Sequence, residues 1–169
     1  MRVMSFDFHE GNYKKGLLVQ LREKVFHLTT AEAYKKIKQD GFVFNNKDGR
    51  YPINTGSSKS FGRSRGWVCL FDLRGRSEEE IEEALFRYPF INPPWFQKNL
   101  VSYSESRLAY LILSENCHNN LILDNEDTRR KIWNDPLKCT QFVPKVECWH
   151  DGNIPLECFQ QVLTVNIRS

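Results

Sequence analysis

The chain has 169 residues, 40% hydrophobic and 27% charged, with a net charge of +3, enough for one buried core without staples, so residues 1–169 read as a single domain. That mildly basic balance admits nucleic acid as a partner without pointing to it. No apolar run reaches transmembrane length and no leader pattern opens the chain. Five cysteines with no C-x-x-C pair fit reduced thiols, so the expectation is a cytoplasmic protein with no membrane segment. Cys139, Cys148, His150 and Cys158 lie close in sequence, but their spacing matches no standard zinc pattern and no metal is expected.

Residues 1–24 read as an N-terminal packing arm: an apolar-aromatic run (Val3, Met4, Phe6, Phe8), a turn, and a short helix carrying Leu17, Leu18 and Leu21. Val25–Leu28 is a short buried strand that turns at Thr29 and Thr30 into a helix. Thr29 and Glu32 have capping-box spacing, and Gly41 suits the left-handed residue that closes a helix. His27 stands in that strand just before a helix N-terminus, where N–H groups favour anions. It reads either as a ligand-binding histidine or as a hydrogen-bonded core residue.

Gly41–Phe44 reads as another short strand, followed by a segment dense in turn formers. Ile53–Arg65 is poor in apolar residues and reads either as mobile surface or as a ligand loop. In the second reading Ser57, Ser58 and Ser60 offer hydroxyls, and Arg63 and Arg65 offer planar forks that match phosphate. The Walker spacing is absent, which excludes a P-loop nucleotidase.

Trp67–Arg74 is a largely continuous apolar run and reads as a central strand. Ser77 and Glu80 repeat the capping-box spacing ahead of a helix whose inner stripe is Ile81, Ala84, Leu85 and Tyr88. The acidic run Glu78–Glu83 fits the solvated first turns of that helix better than a catalytic cluster. Arg107–Ser114 is an apolar strand, His118 falls in an exposed turn, and Asp124 or Asn125 caps a helix through Trp133. A strand over Phe142–Trp149, a His-Asp-Gly-Asn turn, a helical turn opened by Pro155, and a strand over Val162–Arg168 complete the chain. Segregated short strands and few helices predict an α+β fold with a mixed or mostly antiparallel sheet.

Glu147 lies inside an apolar strand, a costly place for an unpaired carboxylate. It sits either in a cleft or on the wet face of a sheet, where a cross-strand lysine is an ordinary partner. No G-x-S-x-G elbow, H-E-x-x-H helix or paired dinucleotide fingerprint is present, so hydrolase and Rossmann readings find no support.

These segments come in a distinctive order. An apolar H-x-T strand leads into an amphipathic helix closed by glycine. A Ser/Arg loop and an apolar strand running into Arg-Gly-Arg-Ser follow, and then a late V-E-C-W with I-P before the closing strand. This order resembles the ADP-ribosyltransferase fold, most closely the DarT-type DNA-modifying toxins and more distantly the RNA 2′-phosphotransferases. The resemblance implies a split mixed sheet and NAD consumed as a substrate, with no metal. It places His27 and Thr29 at the NAD ribose, with Ser57, Arg63 and Arg74 as further NAD contacts. Arg63 or Arg65 serves the phosphates or the reacting centre, Arg65 being the candidate catalytic arginine, and Glu147 falls on the catalytic glutamate. It also implies a nucleic-acid or protein acceptor and an antitoxin or inhibitor partner, in a toxin or phage–host conflict setting. Tyr51 or Tyr110 is a candidate to stack on nicotinamide. A non-catalytic module of the same fold, binding NAD, ADP-ribose or nucleic acid, is the alternative from a different class. RNA 2′-phosphate transfer, which relies on basic residues rather than a glutamate, is a third.

Overall fold

A computed structural model of the chain describes residues 1–51, 59–88, 91–94 and 107–169. In chain order the strands are β1 (Arg2–His9), β2 (Val25–Thr30), β3 (Phe42–Val43), β4 (Trp67–Asp72), β5 (Leu108–Leu113), β6 (Leu121–Ile122), β7 (Glu147–Asp151), β8 (Ile154–Pro155) and β9 (Phe159–Arg168). The helices are α1 (Tyr13–Leu21), α2 (Ala31–Asp40), α3 (Phe61–Arg65), α4 (Glu78–Arg87) and α5 (Glu126–Trp133), with 3₁₀ turns at Glu115–Asn120 and Leu156–Cys158.

The fold is α+β. Seven strands form one mixed sheet in the order β1-β9-β5-β2-β4-β7-β6, and β3 and β8 form a small second sheet. Only β1 runs parallel to its neighbour, β9, and the remaining neighbours are antiparallel. Phe26, Phe71, Tyr110 and Leu163 build the core on one face with Leu17, Leu21, Ile81 and Leu85 of α1 and α4. Val25, Leu70, Leu111 and Val162 build the other with Tyr34 and Ile37 of α2. A third cluster, Phe61, Ile132 and Trp149, joins α3 and α5 to β7.

The seam between β2 and β4 positions the site. β2 pairs with β5 over five residues, from Phe26 to Thr30, and β4 pairs with β7 over five, from Trp67 to Phe71. Between themselves β2 and β4 share only two rungs, Val25 with Asp72 and Phe26 with Phe71. Beyond Phe26 the two strands part, each held by its outer neighbour, and the sheet opens into a cleft.

Local chemistry explains most boundaries. Gly41 closes α2 at φ +77°, a left-handed conformation that an L side chain resists. Ser77 and Glu80 form the reciprocal capping box of α4. Asn125, not Asp124, caps α5 by accepting from the Thr128 N–H at 2.9 Å.

Other expectations are corrected. The arm over 1–24 is integral to the sheet, because β1 adds along β9 for eight residues. Thr30, not Thr29, caps α2, accepting from the Ala33 N–H at 3.0 Å. The strand expected over Phe142–Trp149 runs from Glu147 to Asp151, and the last begins at Phe159 rather than Val162. His118 is half-buried in a 3₁₀ turn rather than exposed.

Packing at Gly62 leaves no room for a side chain. An added Cβ would stand 2.6 Å from Trp149 Nε1 and 2.9 Å from Cys69 Sγ, and both neighbours belong to packed strands. The expected cost of Gly62→Ala is about 1–3 kcal/mol of overpacking, more than the helix propensity gained. Urea denaturation of the variant checks this, as a lower midpoint at unchanged slope.

Candidate functional site

The cleft between β2 and β4 has a volume of about 190 Å³. Its walls come from separate parts of the chain: His27 and Thr29 on β2, Ala33 and Ile37 on α2, Asn45, Asn46 and Tyr51 beyond β3, Ser60 and Arg63 at α3, and Trp67 and Cys69 on β4. It is smaller than the roughly 300–1,000 Å³ of sites that engulf a drug-sized ligand. Its size suits a fragment of a ligand rather than the whole of a drug-sized one. Among the described residues its lining includes one cation, Arg63, and no carboxylate, which favours an anionic or neutral polar ligand.

His27 stands where the β2–β4 ladder stops. Its Nδ1 lies 2.8 Å from the Cys69 carbonyl. A carbonyl only accepts, so Nδ1 carries the proton and Nε2 keeps a lone pair. Desolvation pulls the His27 pKa down, outweighing the support of the Cys69 carbonyl for the charged ring. At neutral pH the ring is an uncharged imidazole with an acceptor on Nε2, suited to receive a hydroxyl proton.

Thr29 is half-buried and lines the cleft. Since Thr30 performs the capping, the Thr29 hydroxyl is not committed to the first turn of α2. Ser60 caps α3, its hydroxyl accepting from the Arg63 N–H at 3.5 Å, and this fixes Arg63 at the cleft wall. Tyr51 lines the mouth. Its backbone N–H donates to Asn46 Oδ1 at 2.8 Å, its hydroxyl donates to Asp40 at 2.5 Å, and Arg50 lies 4.0 Å over the neighbouring Phe44 ring. A ring held this way loses little freedom when a flat ligand stacks on it.

Four expected contacts lie elsewhere. Arg65 is exposed, stacked 5.1 Å over Phe61 with its guanidinium donating to the Lys131 carbonyl at 3.3 Å. Arg74 follows the far end of β4, bidentate to Asp72 at 2.9 and 2.8 Å and 2.8 Å from His118 Nδ1. Helix α3 turns Arg63 inward and Arg65 outward, and Asp72 binds Arg74 in place, so neither Arg65 nor Arg74 lines the cleft. Ser57 and Ser58 lie outside the described residues. Tyr110 is fully buried against Phe26 and has no face to offer a ligand.

Glu147 is the fourth. It is 4% exposed and accepts from the Val143 N–H at 2.6 Å. It belongs to the sheet face of Phe71, Cys69 and Trp149, as the register of β4 and β7 requires. Its carboxyl therefore sits behind the cleft wall, next to Cys69, and not on its surface. Burial raises the Glu147 pKa to about 7, outweighing the Val143 N–H, which supports the charged form. Cys69 was not singled out by sequence, although alternation along W-V-C-L-F already places it between Trp67 and Phe71 on one face.

Among the described residues no three His, Cys, Asp or Glu side chains converge as metal ligands, and no helix is long and apolar enough to cross a membrane. No protein family's sequence model, curated protein or solved structure matches the chain.

The buried carboxyl has a thermodynamic signature. Its folded pKa of about 7 lies above the ordinary carboxylate value of 4.5. The folded state thus binds the extra proton, and stability is fully present below about pH 4.5 and is lost as pH rises through 7. The difference amounts to about 3 kcal/mol at 1.36 kcal/mol per unit. Urea titrations at pH 5 and 8 are expected to show wild type losing about that much relative to Glu147→Gln, which cannot ionise. Parallel loss in both proteins would place the Glu147 proton elsewhere.

Proposed function

We propose that the chain adopts an ADP-ribosyltransferase-like fold and is an NAD-consuming mono-ADP-ribosyltransferase. Its acceptor is a macromolecule, nucleic acid or protein, and a toxin or phage–host conflict role with an antitoxin or inhibitor partner is the setting the resemblance implies. The observation that carries the reading is convergence. His27, Thr29 and Arg63 share one cleft, where a sheet parts, although Arg63 is separated from the other two by more than thirty positions.

In this reading the uncharged His27 ring accepts from a ribose hydroxyl through Nε2, and the Thr29 hydroxyl holds the same sugar. Arg63 faces the pyrophosphate with its planar fork. Tyr51 offers a ring to the base at the mouth. Cleaving the nicotinamide–ribose bond leaves positive charge on the sugar, which a nearby carboxylate stabilises as an acceptor attacks. The chain's own carboxylate for that work is Glu147, whose pKa near 7 leaves part of it ionised at neutral pH.

One observation favours the second reading, a module that binds NAD, ADP-ribose or nucleic acid without turnover. Glu147 is enclosed and hydrogen-bonded behind the wall instead of lining the cleft. The two readings separate on nicotinamide release from NAD. The transferase is expected to release it, with His27→Ala and Glu147→Gln each slowing release at least tenfold and His27→Ala also raising KM. NAD binding by calorimetry without release, with DNA, RNA and cell extract supplied as acceptors, would overturn the transferase and leave the module.

A further inference from the structure

The enclosure of Glu147 raises the question of how a buried carboxyl communicates with the cleft. Cys69 stands between them. It lines the cleft, and its thiol lies 3.5 Å from the Ser60 hydroxyl, another lining group. On its inner side the same residue shares the sheet face of Glu147, on the neighbouring strand, and the Glu147 charge acts on the thiol. Behind Cys69 the Trp149 ring closes the space. Its indole nitrogen is fully buried and has no hydrogen-bond partner in good geometry.

We propose that Glu147 acts on the cleft through Cys69 and Ser60, which form a proton path from the cleft wall to the buried carboxyl. The catalytic use of this path rests on the transferase reading, while the path itself is testable without it. In the transfer step the acceptor's hydroxyl or amine gives its proton to Ser60 Oγ. The Ser60 proton passes to Cys69 Sγ, and the thiol proton passes to Glu147, which becomes the neutral acid. The acceptor's lone pair forms the bond to the ribose carbon, and nicotinamide leaves with the electron pair of the broken carbon–nitrogen bond. No oxidant or metal enters the balance, and Glu147 returns its proton to solvent between turnovers. Glu147 is then a positioning residue that sets the protonation of the group at the cleft wall.

The charged surroundings are compatible. Asp124 faces Glu147 from the turn before α5 and raises its pKa, while Asp124 is itself held by Arg129 at 2.8 Å. Cys148, next in sequence, points to the opposite sheet face. On the cleft side the titratable or charged neighbours are His27, bonded to the Cys69 backbone, and Arg63. Burial and the Glu147 charge both push the Cys69 thiol up, whereas the Ser60 hydroxyl pulls it down.

The two partners therefore give opposite predictions for one observable. Alkylation of Cys69 by iodoacetamide, read on its peptide by mass spectrometry at pH 8, is expected to speed about tenfold in Glu147→Gln. That is the change one unit of thiol pKa makes to the thiolate fraction. In Ser60→Ala it is expected to slow. The cysteine peptides remote from the cleft, Cys117 and Cys139, report whether each variant is folded. Nicotinamide release supplies the second arm: Cys69→Ser, which keeps a proton-carrying atom, is expected to retain the wild-type pH profile. Cys69→Ala is expected to lower kcat at unchanged KM and to lose the limb near pH 7. Alkylation unmoved by either variant, or a Cys69→Ala protein with the wild-type profile, overturns the path. Wild-type protein that releases no nicotinamide overturns the transferase reading instead, and with it the catalytic use of the path.

Discussion

The His27–Cys69 bond stands at the first position where β2 and β4 would otherwise continue their ladder. Two backbone rungs hold the strands together at Val25 and Phe26, and then the imidazole takes over, bridging to the Cys69 carbonyl at 2.8 Å. A carbonyl left unpaired in so apolar a seam would cost free energy comparable to a lost hydrogen bond. The ring satisfies it while spanning more distance than a backbone N–H does. The bond thereby allows the sheet to part, and in the same act selects the tautomer that leaves Nε2 as an acceptor.

From that seam the remaining arrangement follows. β2 is held away by β5 and β4 by β7 over five residues each, so the opening is backed by two paired half-sheets. The cap of α2 at Thr30 places the helix immediately beyond the cleft and releases Thr29 to it. Ser60 caps α3 and so both presents Arg63 and contacts the Cys69 thiol. The aromatic cluster of Phe61, Trp67 and Trp149 closes the far side and encloses Glu147 with it. The enclosure raises the carboxyl's pKa, and it also gives Cys69 its place as the intermediary.

Local signals in the sequence identified local structure. The H-x-T strand running into a helix, the stop at Gly41, the Ser77–Glu80 box and the apolar run from Trp67 are set by neighbours a few residues apart, and each stands as read. The α+β class followed from the same periodicities. The cap on Thr30 shows the limit of such signals, because Thr29 and Thr30 carry the same chemistry and only the exit angle of β2 chooses between them. Arg63 and Arg65 differ by two positions on a helix of five residues, and tertiary contact with Lys131 decides which faces the cleft. The seam itself was not readable, since it depends on which strands pair at long range. Nor was the fate of Arg74, which Asp72 holds from two residues away while the strand's direction carries it from the cleft. The burial of Glu147 likewise required knowing that α3 and α5 cover its face.

The most direct test of the account is nitrogen-15 NMR of the His27 ring, recorded with and without NAD. The account predicts a neutral ring protonated on Nδ1 near pH 7, with the Nε2 resonance shifting as NAD binds. A ring protonated on Nε2, or one whose resonances do not move at saturating NAD, would contradict both the seam as described and the cleft as the ligand site.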